Sequence, residues 1–292
     1  MSIDRLQEKI RKLKNPSVVD FDILPEHIPP QLKQQEGSFQ RAYSRFCMEL
    51  MDALRDTVPA VRFNFGAFAI LDTEGLTALA RVLDHAKKLG FYVLLDVPEA
   101  LSANRAEANA QILFEEGCMW PCDGMVLSSY IGSDGIKPYA ARLKDSDKDL
   151  FVVLRTGNKS GPELQDLMTG GRLVHQAQAD ITNRFSETLP ARCGYNRIGG
   201  MAAASSLSGL QTLRAKYKNM FLLLDGYDYP NANAKNCSFA FDRLGHGAAA
   251  CGGTSITGAW LLNESDGTEY VREAFEAADR MKKNLTRYVT IL

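Results

Sequence analysis

Eight short runs rich in β-branched or aliphatic residues recur along this chain, and the stretches between them carry helical periodicity. The runs are 17–21 (SVVDF), 60–63 (AVRF), 92–96 (YVLLD), 124–127 (GMVL), 150–154 (LFVVL), 198–202 (IGGMA), 220–224 (MFLLL) and 248–251 (AAAC). The sixth and eighth are rich in small residues and read as strands mainly from their spacing. Strands alternating with helices specify parallel βαβ units. Eight such units in 292 residues predict an α/β fold, a (β/α)8 TIM barrel. The competitor is a doubly wound open sheet, which usually carries a Gly-rich phosphate turn after its first strand. Here that turn is Asp22-Ile23-Leu24-Pro25, without glycine. No Pro/Gly/Ser linker or compositional break divides the chain, so residues 1–292 read as a single domain.

Helical patterns fill the gaps. Residues 73–89 place Leu76, Leu79, Ala80 and Leu83 on one face, with Thr73 as the expected N-cap and Gly90 as the stop. A second helix is expected over 105–116, ending at Gly117. A long amphipathic helix is expected over 162–185, and others over 206–216 and 268–286. Residues 1–14 form a charged amphipathic segment ahead of the first strand, a short helical extension rather than a secretory leader.

Composition excludes several functions. Thirty-four basic residues against 35 acidic ones leave a net charge of −1, without the basic excess of a nucleic-acid binder. No apolar run approaches the roughly 18 residues of a membrane span. The six cysteines are scattered, as in a reduced, cytoplasmic chain. Cys118 and Cys122 lack two further ligands at zinc spacing, and His27, His85, His175 and His246 show no metal or triad spacing. Neither a metal nor another cofactor is expected.

A barrel of this kind carries its site at the C-terminal strand ends. Those ends hold Asp22, Arg62, Asn64, Asp96, Ser128, Ser129, Arg155, Thr156, Asp225, Gly226 and Tyr227, then Gly252-Gly253-Thr254-Ser255. Taken alone, an acid after a strand is often only a cap or turn residue. Asp22, Arg62 and Asp96 together, on adjacent strands, form the cation-and-carboxylate grouping that shifts pKa values. The strand-eight glycines either permit a tight turn or offer backbone N–H groups to a phosphate.

At these residues the chain resembles a known family. The segments are Asn15-Pro16-Ser17-Val18-Val19 with Asp22 and Pro29, Pro59-Ala60-Val61-Arg62 with Glu74-Gly75-Leu76, and 130–138 (YIGSDGIKP). Arg155-Thr156-Gly157-Asn158 with Gln165-Asp166-Leu167, and 194–199 (GYNRIG), complete the set. Together they are similar to the orotidine 5′-phosphate decarboxylases, specifically the longer bacterial subgroup, from the first residues to about residue 260. The resemblance implies a homodimer that converts orotidine monophosphate to uridine monophosphate and carbon dioxide.

It also marks departures. The family's Asp-x-Lys-x-x-Asp at the end of strand three corresponds to Asp96-Val97-Pro98-Glu99-Ala100-Leu101. Pro98 stands where the family has the lysine that protonates C6. Leu101 stands where it has an aspartate reaching into the neighbouring subunit, and Arg105 where a threonine touches the nucleotide across the dimer. Arg62 replaces a second catalytic lysine, and arginine does not give up its proton near neutral pH. The family's strand-seven phosphate loop becomes Asp225-Gly226-Tyr227-Asp228-Tyr229-Pro230, and its strand-eight phosphate arginine becomes Thr254. A cation beside C6 stabilises the carbanion-like centre formed as carbon dioxide leaves. Losing one such preorganised group commonly costs about 10²–10³ in rate.

Three functions follow as expectations. The first is a family member whose activity is lost or changed, either a scaffold or a binder of another small molecule through Thr156, Asn158, Asp225, Gly226, Gly252, Gly253 and Thr254. The second is a working decarboxylase with a relocated lysine, Lys159 being the nearest candidate. The third is a different barrel enzyme using Asp22, Arg62, Asp96 and Asp225 on a sugar or a cationic substrate.

Overall fold

The structure, a computed structural model, describes residues 2–292. Eight parallel strands close into a barrel: β1 (Ser17–Phe21), β2 (Ala60–Asn64), β3 (Tyr92–Asp96), β4 (Gly124–Leu127), β5 (Asp149–Arg155), β6 (Asn196–Ala203), β7 (Met220–Asp225) and β8 (Ala248–Gly252). Each strand pairs with its sequence neighbour, and β8 returns to β1. The (β/α)8 expectation is met. Each strand is buried on both faces, which is why the runs are continuously apolar rather than alternating. The register shifts once between β5 and β6, near Val153 and Arg155.

The helices that matter to the site lie outside this ring. They are α1 (Ser2–Leu13), α2 (Phe39–Leu54), α3 (Asp72–Lys88), α4 (Ala103–Phe114), α5 (Lys137–Leu143), α6 (Val174–Ser186), α7 (Leu207–Lys216) and α8 (Tyr270–Thr286). Helix α1 seals the end of the barrel opposite the site. Ile3, Leu6 and Ile10 are fully buried. Asp4 accepts from the Cys193 N–H at 2.8 Å, and Gln7 accepts from the Gly247 N–H at 3.0 Å. Both donors precede strands, so α1 satisfies backbone groups that the barrel floor would otherwise leave open.

Two helical expectations change. The span 162–185 is not one helix: a short helix, Gly161–Gln165, gives way to an antiparallel pair of two-residue strands, Met168–Thr169 and Arg172–Leu173, before α6 begins. Gly170 and Gly171, with φ of +56° and +80°, make the two-residue turn. That left-handed pair is the chemistry of a tight hairpin and ends any helix. The helix expected to start at Thr73 starts at Asp72 instead, and the Asp72 carboxylate accepts from the Glu74 N–H at 2.9 Å. No helix is long and apolar enough to cross a membrane among the described residues.

Candidate functional site

The C-terminal strand ends surround a cavity of about 420 Å³. Its floor is a four-member charged cluster. Arg62 is 7 % exposed and forks onto Asp96, with Nε–Oδ1 2.7 Å and Nη2–Oδ2 2.6 Å. Its Nη1 donates to Asp20 at 3.1 Å and to Asp225 at 2.8 Å. Strand register explains the convergence. Asp20 and Arg62 are cross-strand partners on β1 and β2, and Asp96 and Asp225 end β3 and β7.

One cation shared by three carboxylates sets the electrostatics. Burial pushes the Asp20 carboxyl up to about 7, against the pull of Arg62 and with the push of Asp96, Asp225 and Asp22. Burial likewise raises Asp96, although Arg62 opposes it. Burial works against the Arg62 charge, but its three partners outweigh that and hold the guanidinium charged well above its ordinary range. Cys251, beneath this cluster, is a neutral thiol whose proton affinity burial raises further. Five aspartates therefore face one arginine among the cavity-lining residues, and no lysine lines it among those described.

A layer above, Asp22 accepts from the Asn64 amide at 3.5 Å rather than meeting Arg62. The expected grouping of Asp22, Arg62 and Asp96 is thus corrected: Asp20 is the strand-one acid on the arginine. Asp20 and Asp22 are two residues apart and share a strand face. An aspartate inside the apolar run 17–21 was the available signal.

Across the mouth, Thr156 is held by Gln165, whose carbonyl oxygen accepts from the Thr156 N–H at 2.8 Å, and Thr156 donates to Asn158. Tyr229 leans over the rim, its ring lying where a Cβ on Gly157 or Gly226 would fall. Gly226 has φ of +70°, so the bend that brings Tyr229 inward needs glycine. Asp228 reaches from the same loop to the turn after β8. Its Oδ2 accepts from the Gly253 N–H at 2.8 Å and the Ser255 N–H at 3.1 Å.

Of the residues singled out from sequence, Asp22, Arg62, Asn64, Asp96, Thr156, Asn158, Asp225, Gly226, Gly253 and Thr254 line the cavity. Pro98, Leu101 and Gly252 do not. Leu101 is 86 % exposed on the loop after β3, and Gly252 is buried under Met281 and Ile256. Ser128, Ser129, Arg155 and Tyr227 also lie outside the lining. Arg155 is committed to Asp166 through paired bonds of 2.9 and 2.8 Å. Lys159 is exposed and is not among the lining residues, though its neighbour Asn158 is. Asp20, Met201, Tyr229 and Cys251 line it without having been anticipated.

No protein-family model matches the chain. Sequence comparison finds orotidine 5′-phosphate decarboxylases. That of Clostridium novyi (strain NT) is 26 % identical over 287 residues, 98 % of each chain. That of Clostridium acetobutylicum is 27 % identical over 266 residues, 91 % of this chain and 92 % of the relative. Among solved structures, the orotidine 5′-monophosphate decarboxylase of Plasmodium berghei superposes with a TM-score of 0.81 at 13 % identity, covering 99 % of both chains. The OMP decarboxylase of Leishmania donovani gives 0.72 at 21 % identity, covering 97 % of this chain and 99 % of the other. The structural likeness establishes the barrel; the sequence likeness extends over nearly the whole chain.

Proposed function

We propose that the chain is a member of the orotidine 5′-phosphate decarboxylase family that has lost or changed that activity, and that its barrel mouth takes a small polar ligand that is neutral or cationic. The observation that carries this reading is the captivity of Arg62. It is the only cation among the described lining residues, and three carboxylates hold it. An anionic nucleotide entering this mouth meets Asp22 and Asp228 and finds no free positive charge. The positions of the family's catalytic lysine and second aspartate, Pro98 and Leu101, supply neither a proton nor a charge. Lys159, the expected replacement, is exposed and is not among the lining residues, though its neighbour Asn158 is.

Asp20, Asp225 and Asp22 would hold an ammonium or hydroxyl-rich ligand through the carboxylate oxygens that Arg62 and Asn64 leave free, with Thr156 and Asn158 as polar contacts above. Residues 1–292 make one domain in this reading, and the protein is a cytoplasmic homodimer. An exposed Leu101 beside Arg105 supports a partner face, and six free thiols suit a reducing compartment. Light scattering on a size-exclusion column would report a monomer if the dimer is wrong. For the activity, purified protein is incubated with orotidine monophosphate and its ultraviolet absorbance followed; no turnover is expected, and ordinary enzyme rates would sink the reading. A thermal-shift panel of uridine monophosphate, a neutral sugar and a diamine should show stabilisation only by the last two, since stabilisation follows affinity for the folded state.

A further inference from the structure

We infer that the cleft between α2 and α3, on the outer wall of the barrel, is a second ligand site, and that two arginines there take a phosphate-bearing small molecule. The cleft holds about 270 Å³ and shares no lining residue with the barrel mouth. Arg41 and Ser44 of α2 line it opposite Glu74, Thr77, Ala78 and Arg81 of α3. The four α3 residues are spaced i, i+3, i+4 and i+7, so they form one stripe of that helix. Ala78 is buried in the stripe, and its small side chain leaves the space between the helices open. Among the described residues, neither the Arg41 nor the Arg81 guanidinium has a hydrogen bond or an ion pair. Arg45, one turn after Arg41, shows the contrast: Glu36 and Glu49 hold it at 2.9 and 2.6 Å.

A guanidinium is a fork of N–H donors that matches two oxygens of a phosphate, and an uncommitted one loses no internal bond when the anion arrives. Arg62 at the mouth is the opposite case, with its donors already taken. In the cleft two guanidiniums stand against one carboxylate, Glu74, so the balance stays positive. Glu74 forms no ion pair with either arginine and would accept from hydroxyl groups on the rest of the ligand. The Ser44 and Thr77 hydroxyls donate to their own helices, at 3.0 Å each, so the arginines supply the recognition. Both helices begin beside the cleft, and their positive ends add to the field of the arginines. Further along, His85 Nε2 meets Asp52 Oδ1 at 2.9 Å across the same two helices, which fixes the spacing of the arginines' roots.

The experiment measures inorganic phosphate binding by calorimetry at constant ionic strength, with chloride as the control anion. Wild type, Arg41→Gln, Arg81→Gln, the double variant and Glu74→Gln are compared, with circular dichroism to show that each is folded. Arg287→Gln removes the same charge from an exposed position outside the cleft and serves as the control. Wild type should bind phosphate saturably. Arg41→Gln and Arg81→Gln should each weaken binding about tenfold, the worth of a charge-assisted hydrogen bond. The double variant should not bind, and Glu74→Gln should bind more tightly than wild type, since a like charge is gone. Arg287→Gln should match wild type. The inference falls if wild type shows no saturable binding or if the double variant keeps its affinity. It falls equally if Arg287→Gln loses as much as the cleft variants, because bulk charge would then explain the effect.

Discussion

Replacing Asp20 by asparagine should stabilise this protein, and the gain should grow with pH. The carboxyl is pushed from an ordinary value of 3.8 up to about 7, so the unfolded chain releases its proton well before the folded one does. At pH below about 4 both states hold the proton and Asp20 has no adverse effect. Between about 4 and 7 the unfolded state ionises first, and folding stability falls as pH rises. Above 7 the loss is complete. Each tenfold change in proton affinity is worth about 1.4 kcal/mol, so the ceiling is about 4 kcal/mol. The Asp20 side chain keeps 16 % of its exposure, and its burden is shared with Asp96 and Asp225, so about half of that, roughly 2 kcal/mol, is expected. The opposing effect is a weakened bond to Arg62. Removing one partner of a buried pair costs about 3–5 kcal/mol when it strands the other charge. Arg62 is not stranded here, because Asp96 grips it twice and Asp225 once, and asparagine still offers an oxygen to Nη1. Urea unfolding at pH 5 and pH 8 provides the assay. Asp20→Asn should exceed wild type by about 2 kcal/mol at pH 8 and by less than half of that at pH 5. A difference independent of pH, or a less stable variant at pH 8, would show that Arg62 needs all three charges.

The opposite change, Arg62→Met, leaves three buried carboxylates without a cation. It should cost about 3–5 kcal/mol at pH 8 and less at pH 5, read from the same urea transitions. Leu6→Ala hollows the seal beneath the barrel, where Leu6 is fully buried, and should cost about 2–4 kcal/mol in unfolding free energy. Gly226→Ala places a Cβ 2.3 Å from the Tyr229 ring at φ of +70°, so the ring must leave. A loss of about 1–2 kcal/mol is expected, with an altered near-ultraviolet dichroism from tyrosine; unchanged values would contradict the packing. The double change Pro98→Lys/Leu101→Asp should not restore turnover of orotidine monophosphate in the absorbance assay, because neither change frees Arg62.

The barrel was legible because its strands are buried on both faces, and continuous apolar runs have few other uses. The runs 17–21, 92–96 and 124–127 coincide with β1, β3 and β4 residue for residue. Where strands run longer than the apolar pattern, most of the added residues are polar: Asn64 on β2, Asp149 and Arg155 on β5, Asn196 and Arg197 on β6, Asp225 on β7. Hydrogen-bond ladders recruit these residues whatever their hydropathy. The span 162–185 failed because amphipathic periodicity continues through Gly170-Gly171, and two left-handed residues overrule it. Within the site, strand-end position found most of the lining, but not which acid touches Arg62. That choice depends on strand register, which alternation alone does not fix across neighbours. The bond from Asp228 to Gly253 and Ser255 joins two loops 25 residues apart and leaves no local trace.

Catalysis needs groups that are unsatisfied until the transition state arrives. In this mouth the strongest donors are already satisfied. The N–H groups of a guanidinium are its means of recognising an anion, and four hydrogen bonds from Arg62 already go to Asp20, Asp96 and Asp225. The Gly253 and Ser255 amides at the rim already donate to Asp228. A ligand that uses either set must first displace a carboxylate that is tethered in place, so the net gain on binding shrinks by the strength of the bond it breaks. What remains open at the floor is mostly acceptor capacity: the oxygens of Asp20 and Asp225 that Arg62 does not take, and the Asp22 oxygen that Asn64 does not reach. Such a surface recognises donors. Ammonium and hydroxyl groups are donors, and phosphate is not. The direction of ligand choice therefore follows from which hydrogen bonds the protein has already made for itself, before any particular ligand is named.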